Sequence, residues 1–544
     1  MAAEKLVRGA GVVGIAVMAS RLLGLVREQL FAALFGAGRE LDAFVTAFRI
    51  PNLFRDLFAE GALSAAFVTT FAQKLEKEGE AQAWRLANLV VHALLVVVGG
   101  VVVLGMIGAP WIVGWIAPGF AETPGKMELT ISLTRMMFPF LLLVALAALA
   151  MGMLNAKEHF GVPAAASSFF NLGSILVGLF CAWWFAPDYL RGVLGGETAM
   201  TADPEAAARA VTGMAVGTLA GGFLQLAVQI PSLYKVNYRY RPRLSFTDPG
   251  VREVLRLMGP ATIGAAAVQV NVLVNNNFAS HLGDGAVSWL NVAFRFMQLP
   301  IGIFGVAIGV VALPAVSRRV AAADLDGMRE TVVRALRLVL ILCLPSAAGL
   351  AVLAPDMIGV VYQHGLFSAE DTRMASWALM AYALGLAGYA NIKVLVPAFY
   401  ALGDARTPAL VGLLSIGVNA LLAWVAIHRL GLGHVSLALA TSVVALTNFA
   451  ILMALLRRRI GPYAGLGSSL APVCAGTIVV ALVAVGVRGA VGADLPDAEF
   501  ATRALTLALA IPLAALAYGA IALILGLSEA RTVRARLLAW RSRS

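Results

Sequence analysis

Charge is what this sequence has least of. Of 544 residues only 13% are Asp, Glu, Lys or Arg, while 60% are hydrophobic. A water-soluble domain carries about a quarter charged residues, so a soluble enzyme is excluded at the outset. Cysteine is equally scarce. Cys181, Cys343 and Cys474 each sit inside a different apolar run. That placement gives neither a disulfide framework nor a CxxC metal site, and it predicts three small buried hydrophobes. The six histidines are scattered, and neither HExxH nor GxSxG occurs. Gly9-Ala10-Gly11-Val12-Val13-Gly14 fits GxGxxG, but no strand precedes it and no acidic ribose partner follows. Asp324 and Asp326 form an isolated acidic pair that reads as a solvated loop. No catalytic residue, metal or cofactor is expected, and the chain reads as a non-enzyme. Any polar stretch long enough for a soluble domain is also missing.

In its place stand about fourteen apolar runs of roughly 20–30 residues, each able to cross a hydrocarbon core of about 30 Å. They fall near 6–35, 41–71, 87–115, 129–154, 164–185, 206–230, 254–279, 286–313, 332–353, 375–400, 409–427, 435–456, 470–487 and 504–527. Runs this long in lipid must be helices, because a helix satisfies its own backbone. The expected fold class is therefore an all-α integral membrane protein. The first run follows Lys5 and Arg8 as a signal peptide would. It carries Arg21 and Arg27, however, and continues past Phe31, so a retained helix is expected. The net charge of +11 would suggest nucleic acid in a soluble protein. Here the bases are spread over alternate short loops, with Lys74, Lys77, Arg239, Arg241, Arg243, Arg318, Arg319 and Arg457–Arg459 among them. The opposite loops hold Glu122, Asp188, Asp203, Asp371, Asp494 and Asp497. That split follows the positive-inside rule, places both termini in the cytoplasm and makes no nucleic-acid partner necessary.

The chain repeats itself. Phe31-Ala32, Gly36-Ala37-Gly38 and Ala47-Phe48-Arg49 match Phe278-Ala279, Gly283-Asp284-Gly285 and Ala293-Phe294-Arg295 at an offset of about 246 residues. The connections Asn155–Pro163 and Tyr400–Pro408 recur at nearly the same offset. The period spans an even number of helices, so the halves share one topology. Two six-helix lobes, 1–235 and 236–460, are expected, followed by two further helices and a basic tail over 461–544. This layout suits a transporter.

Charges inside the spans are costly in lipid and carry the functional reading. The first helix has Arg21, Arg27 and Glu28; the second has Arg49, Arg55, Asp56 and Glu60, with Asp42 at its outer end. The eighth has Arg295. Arg21 and Glu28 share a helix face, as do Asp42, Arg49 and Asp56 if Pro51, which should kink the helix, keeps the register. Structural ion pairs would need one acid per base. Surplus arginine in a hydrated cavity suits an anion, and guanidinium grips phosphate bidentately. Arg135, Lys393 and Arg503 read as structural, and Gly305 and Gly309 as a helix-packing GxxxG.

The segments Ser20–Glu28, Asp42-Ala43-Phe44 and Arg49–Ala62 closely resemble the MurJ (MviN) family of lipid II flippases. So do Ala117-Pro118-Gly119-Phe120, Met258-Gly259-Pro260-Ala261, Lys393-Val394-Leu395 and Phe399-Tyr400. The resemblance covers nearly the whole chain. The family belongs to the multidrug/oligosaccharidyl-lipid/polysaccharide exporter superfamily. It implies a bacterial inner-membrane protein that moves the undecaprenyl-diphosphate-linked peptidoglycan precursor, lipid II, to the outer leaflet. Membrane lipids and the cell-wall synthesis machinery are the other partners it implies. On the resemblance, Arg21, Arg27, Arg55 and Arg295 fall on the family's cavity arginines. Asp42 falls on its important outer acid, while Ser20, Glu28, Arg49 and Glu60 match supporting positions of the signature. Two positions depart: Phe294 stands where some members have an acid, and Asp56 where some have a second base.

The mechanism expected is alternating access, with the diphosphate in a cationic cavity between the lobes and the polyprenyl tail left in lipid beside the two extra helices. Asp42 is expected to close the outer gate by pairing with a base of the opposite lobe. The alternatives are a flippase for another polyprenyl-diphosphate oligosaccharide and a multidrug exporter of the same fold. A membrane enzyme would need an outer carboxylate or metal site, and a purely structural scaffold would leave the arginines unexplained.

Overall fold

The computed structural model describes residues 2–55, 64–196, 203–463, 465–493, 498–527 and 529–531, with backbone alone for 2–12, 54, 64–65, 259–268 and 468. The described residues are almost wholly helical. Helices α1 (Ala2–Phe35), α2 (Arg39–Arg55), α3 (Ser64–Glu78) and α4 (Glu80–Ile116) come first. They are followed by α5 (Lys126–Met137), α6 (Phe140–Ala156), α7 (Gly161–Phe185), α8 (Pro187–Gly195), α9 (Pro204–Ala227) and α10 (Ile230–Lys235). Helix α11 (Pro249–Ser280) leads to α12 (Ala286–Pro300), which runs through a π-helical turn at Ile301–Val306 into α13 (Ala307–Ala321). Next come α14 (Leu325–Val352), α15 (Ala354–Tyr362), α16 (Ala369–Ala401) and α17 (Arg406–His428). Helices α18 (Val435–Ile460), α19 (Leu466–Val491) and α20 (Phe500–Ile524) complete the described fold.

Among the described residues eleven helical segments are long and apolar enough to cross a membrane, Glu80–Ile116 and Arg406–His428 among them. The chain is a multi-pass membrane protein. The expected spans 6–35, 41–71 and 254–279 fall on α1, on α2 with α3, and on α11. These are the polar ones: α1 carries Arg21, Arg27 and Glu28, and α11 carries Gln269, Asn271, Asn275, Asn276 and Asn277. Polarity inside a span is where a membrane protein places its function. On α4 the outward side is apolar, with Leu104, Trp111 and Trp115 exposed by 70%, 74% and 65%. Such a surface fits acyl chains and not water.

The chain divides into two packed units, 1–287 with 364–367, and 288–363 with 368–544. In the first, one core gathers Phe67, Phe71, Leu86, Phe138 and Leu149, and a second gathers Phe31, Phe44, Leu133, Tyr189 and Met214. Helices α7 and α9 approach until their backbones touch. A Cβ on Gly217 would lie 2.4 Å from the Cα of Gly178, so only glycine fits there. In the second unit α16 is the buried centre, and Ser442 Oγ of α18 donates to the Ala381 carbonyl at 2.7 Å. The GxxxG pair packs as expected, since a Cβ on Gly309 would meet the Lys393 carbonyl at 2.4 Å. The acidic pair is a helix start: Asp324 accepts from the Gly327 amide and pairs with Arg319, and Asp326 pairs with Arg329. The cysteines differ from expectation. Cys343 is buried, but Cys181 is part-exposed and Cys474 exposed, because on a lipid-facing helix an apolar residue need not point inward.

Candidate functional site

The arginines of α1 lie in different surroundings. Arg21, near the middle of a 34-residue helix, is exposed. Arg27 is largely covered, with its guanidinium 5.0 Å from the centre of the Phe170 ring and 3.7 Å from Glu28. The aromatic face and the carboxylate hold the guanidinium in one place. Ser20 contributes its backbone: its carbonyl accepts from Asn171 Nδ2 at 3.0 Å, which fixes α1 on α7.

On α2, Arg49 and Arg55 are half-buried, on either side of Pro51, which lies inside the helix. Arg49 Nη1 donates to Asn276 Oδ1 at 2.8 Å, and Asn276 Nδ2 donates to the Ile116 carbonyl at 3.3 Å. One amide thus ties α11 to α2 and to the last turn of α4. Asp56 and Glu60 lie outside the described residues. In the second unit Arg295 is exposed on α12, and its neighbour Phe294 packs edge-on against Tyr382 at 5.5 Å.

Asp42 has the most enclosed polar environment. Its carboxylate, 0% exposed, accepts from Lys126 Nζ at 2.9 Å and from the Gly285 amide at 2.8 Å. Lys126 is itself 1% exposed, reaches Asp284 Oδ1 at 2.6 Å, and lies 4.2 Å from the centre of the Phe120 ring. The base beside Asp42 therefore belongs to the same half of the sequence, on α5, and the second half supplies the Gly285 amide and Asp284. A cation in the first turn of α5 opposes the helix dipole. No side chain caps that turn, which starts from Gly125 in the left-handed region. Two carboxyl groups and an aromatic face offset the cost of holding an ammonium there. Alongside, Gly119 N donates to Ser280 Oγ, Asn277 Nδ2 to the Trp115 carbonyl, and His281 Nδ1 lies 3.1 Å from Glu122 Oε1. This end of α11 is stitched to α4, α5 and the turn between them.

Charge counting along the spans misses Lys126, Asp284 and Asn276. Lys126 stands at the edge of a span, and Asn276 carries no charge. The available signal for Lys126 was a base in the loops where acids outnumber bases. Of the three residues expected to be structural, Arg135 Nε donates to the Met106 carbonyl and buried Arg503 to the carbonyls of Pro355 and Ala498, while Lys393 is exposed. Among the described residues no three His, Cys, Asp or Glu cluster as metal ligands.

A family model described as Lipid II flippase MurJ matches residues 31–510. The chain belongs to the lipid II flippase MurJ family. It is 36% identical over 462 residues to the probable lipid II flippase MurJ of Vibrio cholerae, covering 82% of each chain. To the lipid II flippase MurJ of Burkholderia cenocepacia it is 35% identical over 444 residues, again covering 81% of each. Among solved structures it is similar to a lipid II flippase MurJ in an inward closed conformation, with a TM-score of 0.72 and 25% identity, covering 94% of this chain and 98% of that one. An inward-facing multidrug MATE transporter of the MOP superfamily shares the fold, with a TM-score of 0.65, 14% identity, and coverage of 83% and 98%.

Proposed function

We propose that this chain is a lipid II flippase of the bacterial inner membrane, carrying the undecaprenyl-diphosphate-linked peptidoglycan precursor from the cytoplasmic to the outer leaflet. It is a transporter and not an enzyme. The observation that carries this reading is the exposure of Arg21 and Arg295 on helices α1 and α12, both read as parts of membrane spans. A guanidinium exposed at that depth faces water or an anion, since acyl chains would strip its hydration with nothing in return. Arg21, Arg27, Arg55 and Arg295 receive the diphosphate, whose planar oxygen pairs match the guanidinium fork. Ser20, Glu28 and Arg49 support them by fixing helix positions and guanidinium orientation, and Glu60, outside the described residues, is proposed to support them too. The polyprenyl tail remains in lipid, near α19 and α20.

The reading takes α1, α2 with α3, and α11 as spans, giving fourteen, with two six-helix lobes and cytoplasmic termini. The end of α11 then lies at the outer face. Asp42, Lys126 and Asp284 close that face while the cytoplasmic side admits lipid II. Alternating access opens them later in the cycle. A triad of charges, with Asp42 and Lys126 buried and Asp284 at the solvent edge, suits a contact that must part, because separated charges regain hydration, whereas a parted apolar seal exposes its whole area to water.

The deciding experiment is rescue of a bacterium depleted of its own lipid II flippase. Growth is the expected result, with lipid II reappearing on the outer leaflet. Failure of a chain that reaches the membrane would reject the substrate. Orientation is tested by labelling single cysteines from outside. Positions near Asp203 should react, and a reactive cysteine at Arg458 would overturn the topology.

A further inference from the structure

The segment between α10 and α11 joins the two repeats, and its pattern serves no part of the transport reading. From 238 to 245 the chain makes no helix, turn or bend. Its residues alternate: Tyr238, Tyr240, Leu244 and Phe246 at even positions, Arg239, Arg241 and Arg243 at odd ones. In extended backbone such alternation puts the two sets on opposite sides. The segment is also pinned. Tyr238 packs on Trp84 and donates through its hydroxyl to Asn88 Oδ1, which also accepts from the Arg241 amide at 2.7 Å. Asn88 Nδ2 donates to the Arg239 carbonyl, and the Tyr240 hydroxyl lies 2.9 Å from His92 Nδ1.

The Arg239 carbonyl and the Arg241 amide both bond Asn88, so the backbone lies beside that one turn of α4, at the start of its apolar stretch, and only the Tyr240 hydroxyl reaches on to His92. The segment therefore lies at the height where apolar surface begins, which is where tyrosine collects in membrane proteins. Tyr240, Leu244 and Phe246 are nonetheless 46%, 47% and 43% exposed. Arg239 is held over the Tyr234 ring at 5.1 Å, and Arg252 and Arg256 add exposed bases just beyond, against the single exposed acid Glu253 of that turn.

We infer that residues 238–246 form a docking strip for anionic phospholipid. Buried Tyr238 anchors the strip on α4, Tyr240, Leu244 and Phe246 enter the interface, and the three arginines hold headgroup phosphates. The occupant is a lipid surface, because the apolar row and the basic row lie at the level where acyl chains meet phosphates. The inference rests on the fold and topology proposed above, but its test uses no lipid II. The linker between the repeats is thereby tied to the leaflet around which they move.

The full chain, with Cys181, Cys343 and Cys474 replaced by alanine, is labelled with an environment-sensitive fluorophore at Leu244→Cys. It is placed in nanodiscs of phosphatidylcholine with and without phosphatidylglycerol. The expected result is a blue-shifted label in the anionic discs and a smaller shift in neutral ones. Arg239→Gln, Arg241→Gln and Arg243→Gln together should abolish the difference, whereas three lysines should keep it. The preference for phosphatidylglycerol should fall about fivefold for each arginine neutralised. A label in water in both discs overturns the strip. So does an equal shift in both lipids that the glutamine variant leaves unchanged. Either result would leave growth rescue by the unmodified chain untouched.

Discussion

Lys126 stands 2.6 Å from Asp284, and through that contact the first turn of α5 is joined to the turn that precedes α12. The two residues are 158 positions apart and come from different repeats of the sequence. With Asp42 they form an ion cluster, buried at Asp42 and Lys126 and open to solvent at Asp284, whose removal or parting has separable effects on stability and transport.

Lys126→Met keeps the volume of the side chain and deletes its charge. Asp42 remains fully covered, so the variant should lose about 3–5 kcal/mol, the usual cost of stranding a buried charge. Combining it with Asp42→Asn removes both charges and should recover much of that loss. Thermal unfolding of the two single variants and the double in detergent gives the coupling. Strictly additive losses would show that the two groups do not support each other.

The arginines test charge against geometry. Arg55→Ala or Arg295→Ala should abolish rescue of the depleted strain while the protein still reaches the membrane. Lysine at either site should rescue in part, since an ammonium restores charge without the two-pronged grip. Undiminished growth with both alanines together would return these residues to a structural role.

How much of this was readable from sequence depends on the distance over which each residue acts. The helices were legible because lipid leaves the backbone no alternative, and α4 and α17 follow their apolar runs closely. The arginine-rich character of α1 and α2 was legible because charge in an apolar run has no cheap explanation. Lys126 was not, because it sits at a span edge where a lysine ordinarily reaches solvent. Its burial depends on Asp42, 84 residues before it, and on Asp284. The repeat marked the turn holding Asp284 but could not say what meets it. Asn276 gave no signal at all, since nothing in the pattern distinguishes it from Asn275 or Asn277.

Outside the spans, Asp404 links the loop before α17 to the end of α18. Its carboxyl is held below the usual carboxylate range, first by the Thr407 hydroxyl, then by the Thr407 amide and by Arg459. The folded chain therefore takes up this proton less readily than the unfolded one. The stabilisation is complete above the ordinary value of about 3.9 and disappears as pH falls through the lower folded value. The protection factor of the Thr407 amide against hydrogen exchange should hold down to about pH 4 and fall below it in the wild type. Asp404→Asn should flatten that response, and an unchanged profile in the variant would remove Asp404 as its source.

The last prediction concerns what holds α19 and α20 to the second unit. Asp356, at the start of α15 and 1% exposed, pairs with Arg488 Nε of α19 at 2.7 Å. Arg503 of α20, 7% exposed, donates to the neighbouring Pro355 carbonyl at 3.1 Å. Both added helices thus grip one turn, and each does so with a guanidinium removed from water. Asp356→Asn keeps the shape but leaves Arg488 facing a neutral amide, so it should cost about 3–5 kcal/mol as a broken buried pair. Arg488→Met alone removes the carboxylate's ion pair with α19 and should cost about as much, while the double variant should recover part of it. If the pair serves only to dock the helices, hydrogen exchange should rise together at 354–362 and 484–503 in both single variants, with the rest of the unit unchanged. Exchange confined to α15 would mean that α19 and α20 are held by their apolar contacts alone.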